Sequence, residues 1–462
     1  MAGLKEYPSA APAAGSNGTS RDVSTFLSVY LLLTLALPSY LTITALGSLG
    51  RPSTLWGLLG LSWWAFERLR RTTRLNAGSS AVRWALLGFL AAVLISYAVS
   101  NLQGIPPNES SPADSGLLRT AGWVGIALLA NDGIGSAERW LVLVRRMTLL
   151  GGLAALLGLA QFVAGQSLLE WLTLPGFSAD SAHSASTRGD FIRPSGLATQ
   201  PLEYAVVLSM ALPLALTLAL TDKHRNQAAR WWPVLALALA TILSGSKSAF
   251  IGAAVGIVIL VPAWSGAVRI RVLGGLAVLL GIVYVTVPGV AGTARGMFQS
   301  MGNDSSSLSR TDSYGVAIEI ASRNLFFGRG FGTFLPRYRI FDNGYLTALV
   351  EIGLVGLLLL VFVLLCAMWN TLGAAYRLFP AGSQARELGV GLSASILAGA
   401  VLLAFFDGLN FSVSAALLFL SVGLAGAYRG LYRPGEPAVT SGRIIRSQSE
   451  YSPAARWARG AD

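Results

Sequence analysis

Arg310, Arg323, Arg329, Arg337 and Arg339 crowd into one polar stretch between two strongly apolar runs of the chain. A guanidinium is planar, permanently charged and donates in pairs, so such a cluster suits phosphate or carboxylate oxygens. Arg188 and Arg193 form a smaller basic group upstream, beside Asp180, His183 and Asp190. Lys247 sits in a short turn at 244–248, where it can touch phosphate or simply snorkel to the interface. Gly328, Gly330 and Gly332 alternate through the arginine stretch, a spacing that suits a phosphate-cradling loop or a tight return of the chain into the membrane. Glu319 and Arg323, four apart, read as an ordinary surface ion pair, and His183 as a solvent-exposed loop residue.

The elements that must position these residues are membrane helices. With 53% hydrophobic and 12% charged residues over 462 positions, the chain is too apolar for a soluble domain and fits an all-α, polytopic membrane helical bundle. Its single cysteine, Cys366, excludes an internal disulfide and lies in an apolar run, where it reads as a packed or lipid-facing thiol. A net charge of +12 could suggest nucleic acid, but most of the basic residues recur in alternate short loops and the C-terminal tail. That pattern is membrane topology.

About twelve apolar spans can be traced, at 25–46, 53–66, 82–100, 117–131, 147–165, 201–221, 231–244, 249–263, 272–287, 344–368, 389–406 and 411–428. Several fall short of the ~20 residues a straight crossing needs, notably the pair around 244–248, so a local break or thinning is expected there. Basic groups at Arg68, Arg70, Arg71, Arg74; Arg139, Arg145, Arg146; Lys223, Arg225, Arg230; Arg269, Arg271; and Arg377, Arg386 mark every second loop as cytoplasmic and place both termini inside. Residues 1–24 read as a disordered N-terminus, 25–430 as the membrane domain and 431–462 as a flexible basic tail able to touch anionic lipid.

Two large external segments follow, at about 166–200 and 288–341. In the second, Ser309 and Asp312 form a capping-box-like start, after which Arg310, Tyr314, Ala317 and Ala321 share one helical face. A short surface helix is expected there. Glu351, inside the following span, is costly in lipid and is expected to face the bundle interior against a basic or hydroxyl group.

Three blocks carry a family resemblance: RPSGLATQPLEYA at 193–205, LSGSKSAFIGA at 243–253, and the Arg310 segment with NLFFGRGFGTF, DNGYL and VEIGLVG. Their order and spacing resemble the O-antigen ligase and Wzy-type polysaccharide polymerase superfamily, over roughly residues 185–365. The resemblance implies a metal-independent, inverting glycosyltransferase without a cofactor, in the bacterial cytoplasmic membrane, which takes a glycan from undecaprenyl diphosphate at the outer face. It further implies that Arg193 and Arg310, by motif position, contact the donor diphosphate. The family often has histidine before the asparagine that opens the next span, whereas this chain has Asp342 before Asn343.

Such a reaction concentrates negative charge on the leaving diphosphate, which well-placed guanidiniums stabilise, and it needs a carboxylate or imidazole to take the acceptor's proton. Asp342 and Glu203 are the candidates, each at the outer end of a span, where each could instead neutralise an arginine. Lys247, Arg188, Arg329, Arg337, Arg339, Asn343 and Tyr314 complete the candidate substrate-binding set, with no metal ligands. Expected partners are the lipid-linked oligosaccharide, an acceptor glycan or lipid-linked repeat, and membrane lipid, with no nucleic acid. Spare external arginines favour polymerisation of lipid-linked repeats over ligation to lipid A core or protein. A lipid-linked oligosaccharide flippase is the rival of another class, but it should show broken helices in matching halves.

Overall fold

The computed structural model describes residues 17–70, 80–169, 172, 174–179, 186–188, 191–286 and 305–432. Its helices are α1 (Asn17–Leu35), α2 (Pro52–Leu69), α3 (Ala81–Leu102), α4 (Pro107–Gly133), α5 (Ala137–Ala164), α6 (Pro201–Thr221) and α7 (Gln227–Leu243). They continue with α8 (Lys247–Leu260), α9 (Gly266–Thr286), α10 (Ser305–Ser322), α11 (Gly344–Met368), a short α12 (Ala374–Leu378), α13 (Gln384–Leu403) and α14 (Ser412–Leu431). Each apolar span read from the sequence overlaps one of these helices in whole or in part. Among the described residues, seven helices are long and apolar enough to cross a membrane, fewer than the twelve or so spans read from the sequence, and the apolar helices at Val23–Leu35, Gln227–Leu243 and Lys247–Ala263 are shorter. The chain is a multi-pass membrane protein.

Local chemistry sets the helix ends. Ser80, Ser136, Asn226 and Ser383 accept from the first-turn amides of α3, α5, α7 and α13. Proline opens α2, α4 and α6, where its missing N–H costs nothing. The first span is helical only to Leu35, because Pro38 cannot continue the ladder; the apolar residues after it form strand β1 (Leu41–Ile43) and a tight turn.

At the centre lie α6, α13 and α14, enclosed on nearly all sides, whereas α9 leaves almost its whole surface to lipid. Small residues set the close approaches. A side chain at Gly57 would lie 2.8 Å from the Gly122 carbonyl, and one at Gly125 would lie 2.5 Å from Leu61, so α2 and α4 pack in parallel, nearly backbone to backbone. Two short antiparallel ribbons form between helices: β1 pairs with β2 (Phe177–Ala179), and β3 (Ser186–Arg188) pairs with β4 (Phe191–Arg193).

Some of the basic residues that recur in alternate loops also brace the bundle. Asp132 of α4 receives Arg68 at 2.5 Å, Arg83 at 3.1 Å and the Trp64 indole at 2.9 Å. Arg145 pairs with Asp222 at 2.8 Å.

The helix α11 is broken. Gly353 has φ 68° and ψ −174°, and the stretch 325–334 runs in to satisfy the backbone freed there. Gly330 N–H donates to the Glu351 carbonyl at 2.8 Å, Leu354 N–H to Leu325 at 2.8 Å and Val355 N–H to Phe326 at 3.2 Å. The Ser96 hydroxyl adds a third-helix contact to the Glu351 carbonyl at 3.0 Å. Gly328, Gly330 and Gly332 all have positive φ, and a side chain at Gly328 would meet the Glu351 carbonyl at 2.4 Å. Of the two uses the sequence allows for these glycines, the structure displays the return into the membrane domain.

Candidate active site

The parallel packing of α2 and α4 through glycine has an electrostatic consequence. Thr54 lies against Gly122, so Arg51 and Arg119, about one turn before them, come side by side, each within reach of the other's charge. Carboxylates gather opposite this pair. Glu203 feels Arg51, and Glu351 and Asp407 act on Arg119. Residues 51, 119, 203, 351 and 407, far apart in sequence, thus form one charged cluster at one end of the bundle.

Within it, Glu203 is fully buried and saturated. Its Oε2 accepts from the Ser39 hydroxyl at 3.0 Å and the Thr199 amide at 2.9 Å, and its Oε1 from the Val413 amide at 2.8 Å. It ties α6 to the start of α14. Glu351 faces the interior, as the sequence suggests, but its Oε1 accepts from the Phe334 backbone amide at 3.1 Å, while its Oε2 meets no donor among the described residues.

The turn 404–411 between α13 and α14 supplies Asp407 and Asn410. The Asn410 side-chain amide donates to Asp407 Oδ2 at 2.5 Å, and its oxygen accepts from Arg119 at 3.2 Å. Asp407 Oδ1 and Arg119 Nε are enclosed and meet no partner among the described residues. Burial pushes the Asp407 carboxyl up to about 6, against hydrogen bonds from Asn410 and Thr347 and the charge of Arg119, with Asp342 pushing the same way as burial.

Asp342, Asn343 and Gly344 each do something different. Asp342 holds φ 49°, the only described non-glycine residue with positive φ. Asn343 caps α11, accepting from Tyr345 at 3.0 Å and Leu346 at 3.3 Å, and its amide reaches the Tyr314 hydroxyl at 3.4 Å. Gly344 docks against the 404–411 turn, where an added Cβ would lie 3.3 Å from both the Leu403 and the Phe406 carbonyl oxygens, a tight contact.

The remaining predicted residues divide. Arg193 ends β4, half-buried, and the chain after it is held where Gly196 exchanges hydrogen bonds with the Gln161 side chain at 2.8 and 3.0 Å. Arg310 is carried on α10, one turn before Tyr314; Ala317 and Ala321 of that helix pack on Phe334, Phe341 and Leu346 beside the start of α11. Lys247 opens α8. Arg329 is engaged elsewhere: both oxygens of the buried Glu109 accept from it at 2.7 Å, and the Tyr338 hydroxyl donates to the same carboxylate at 2.6 Å. Arg337 lies exposed against the Tyr338 ring, and Arg339 is half-exposed nearby. Glu319 and Arg323 form an exposed pair at 3.8 Å. His183 lies outside the described residues, as do the side chains of Arg188 and Arg310. Among the described residues no three His, Cys, Asp or Glu side chains converge as metal ligands.

Sequence reasoning missed Arg51, Arg119, Asp407 and Asn410. Each is a lone polar residue at the edge of an apolar span, where snorkelling gives the same pattern. The one available signal is that Arg51 and Arg119 both lie on the side opposite the basic loops.

No curated protein matches the chain significantly. A protein-family model described as O-antigen ligase matches residues 232–361, just over a quarter of the chain. That stretch contains Lys247, Arg310, Asp342, Asn343 and Glu351 with the broken α11, so the match falls on the segment whose motifs and geometry are most distinctive. Over residues 232–361 the chain is similar to the O-antigen ligase family.

Proposed function

We propose that the protein is a membrane glycosyltransferase that moves a glycan from undecaprenyl diphosphate to an acceptor hydroxyl at the outer face of the bacterial cytoplasmic membrane, both termini being cytoplasmic. The observation that carries this reading is the gathering of Arg51, Arg119, Glu203, Glu351 and Asp407 at one bundle end, beside the O-antigen ligase segment. Cations and acids held side by side away from water are what a diphosphate leaving group and an attacking hydroxyl require. Arg193, on the strand leading to α6, and Arg310, on α10, grip the diphosphate. As the sugar C1–phosphate bond breaks, charge grows on oxygens that the guanidiniums bind more tightly than in the ground state. The acceptor oxygen attacks C1 from the opposite face, which inverts that centre without a metal ion. Asp342 stands on the acceptor side.

Polymerisation of lipid-linked repeats is favoured, because an acceptor that also carries a diphosphate gives the exposed Arg337 and Arg339 an anion to hold. Transfer to lipid A core or protein is the second reading within the class. Flippase activity is disfavoured: Gly353 is the one residue with non-helical dihedrals inside a described α-helix, with no matching break in another half.

The test is transfer by the purified full chain in lipid vesicles given undecaprenyl-diphosphate oligosaccharide and a second copy of it as acceptor. Release of one undecaprenyl diphosphate per glycosidic bond formed supports the proposal. Movement of the donor across the bilayer without bond formation would replace it with transport. In a deletion strain, accumulated single repeats indicate a lost polymerase, and accumulated long chains a lost ligase.

A further inference from the structure

Asp407 Oδ1, Arg119 Nε and Glu351 Oε2 lie enclosed at one end of the bundle and meet no partner among the described residues. They belong to side chains that act on one another electrostatically, so they form one polar group rather than three unrelated defects. Buried polar atoms without partners are rare in folded proteins and call for an occupant.

The group is built around an oriented carboxylate. Asn410 uses both ends of its amide, accepting from Arg119 at 3.2 Å and donating to Asp407 Oδ2 at 2.5 Å, and Arg119 also reaches the Asn410 carbonyl at 3.4 Å. One oxygen of Asp407 is therefore held by Asn410, and the other meets no partner among the described residues. A general base needs that geometry: a carboxylate oriented by one neighbour, with a lone pair left for the incoming proton. Glu203 lacks it, since its two oxygens already accept from three donors.

We infer that Asp407, oriented by Asn410 and Arg119, is the catalytic residue that takes the proton from the acceptor hydroxyl. This rests on the glycan-transfer reading. The acceptor oxygen bonds to the donor C1, the C1–phosphate bond breaks with its electron pair leaving on the diphosphate, and the acceptor proton moves to Asp407 Oδ1. No further reactant is needed.

The charged groups around Asp407 support the assignment from every side. Arg119 of α4 and the Thr347 hydroxyl of α11 favour its ionised form, whereas Asp342, before α11, opposes it; Glu351 of α11 is coupled to it as well. With the carboxyl held at about 6, mainly by burial, Asp407 is ionised at neutral pH and still more basic than an ordinary aspartate.

The experiment is single-turnover transfer against pH in the reconstituted full chain, with donor binding measured in parallel. Wild type should lose rate as pH falls through about 6. Asp407→Asn should lose on the order of a hundred- to ten-thousand-fold in transfer while still binding donor. Asn410→Ala removes the hydrogen bond that favours the ionised form, so its acidic limb should move to higher pH; Asp342→Asn removes a repelling charge and should move the limb lower. Near wild-type transfer by Asp407→Asn overturns the inference while leaving glycan transfer intact. If Asp407→Asn does not fold, an acidic limb that stays in place in both other variants overturns it instead. A wild-type protein that makes no glycosidic bond removes the functional reading itself.

Discussion

The Gly344 amide donates to the Phe406 carbonyl at 3.1 Å. This one bond joins the start of α11 to the turn before α14 and sets Asp342, two residues upstream, beside Asp407, one residue downstream. Each acts on the other's charge. The contact between these segments, rather than either alone, brings the two carboxylates together.

Arg193 and Arg310 should be needed for turnover more than for assembly. Lysine keeps the charge but not the two-pronged geometry, so Arg310→Lys should insert normally and lose most transfer. The check is glycan output at matched protein level. Near wild-type output from both Arg193→Ala and Arg310→Ala would remove these residues from the donor site.

Gly353→Ala should destabilise the bundle. The residue sits at φ 68°, and an added Cβ would lie 2.4 Å from the Phe326 carbonyl carbon and oxygen. Strain of this kind costs about 1–3 kcal/mol before any clash is counted. A lowered thermal midpoint in detergent is expected, with Gly315→Ala, where the site opens to free space, as the unperturbed comparison.

Asp407 should make stability depend on pH. Its carboxyl is raised in the folded protein from 3.8 to about 6, so its contribution is fully present below pH 4 and is lost as pH rises through about 6. Asp407→Asn removes that loss. The variant's stability relative to wild type should rise between pH 4 and 6, by no more than about 3 kcal/mol, and level off above. A difference that stays flat across this range would contradict the shifted carboxyl.

Topology can be read with an impermeant thiol reagent in a Cys366→Ser background. Ser306→Cys should be labelled in intact cells and Ser441→Cys protected. The reverse pattern would invert the protein and place the site in the cytoplasm.

Much of the scaffold was legible because lipid imposes a simple rule on sequence. The spans 201–221 and 344–368 match α6 and α11 to the residue. The apolar run at 117–131 instead marks only the membrane part of α4, whose first turns, from Pro107, are polar yet still helical. The site was legible only in part. Glu203, Asp342, Asn343 and Glu351 stood out as polar groups at sequence positions with a pattern. Arg51, Arg119 and Asp407 acquire meaning only through long-range packing: two helices brought together at Gly57 and Gly122, and a turn pinned by Gly344. Nothing in their local sequence separates them from a snorkelling charge. Arg329 shows the opposite case, a cation that suits phosphate by type and position but whose guanidinium is held by a buried glutamate.

Residues 325–334 are formally a loop, yet they complete the backbone hydrogen bonding of α11 where it breaks at Gly353. Specificity in this protein is therefore not a detachable cassette. A graft of the external segment from another chain would carry away part of the bundle's own pairing, and it would have to import 325–334 and 350–355 together, as a matched set.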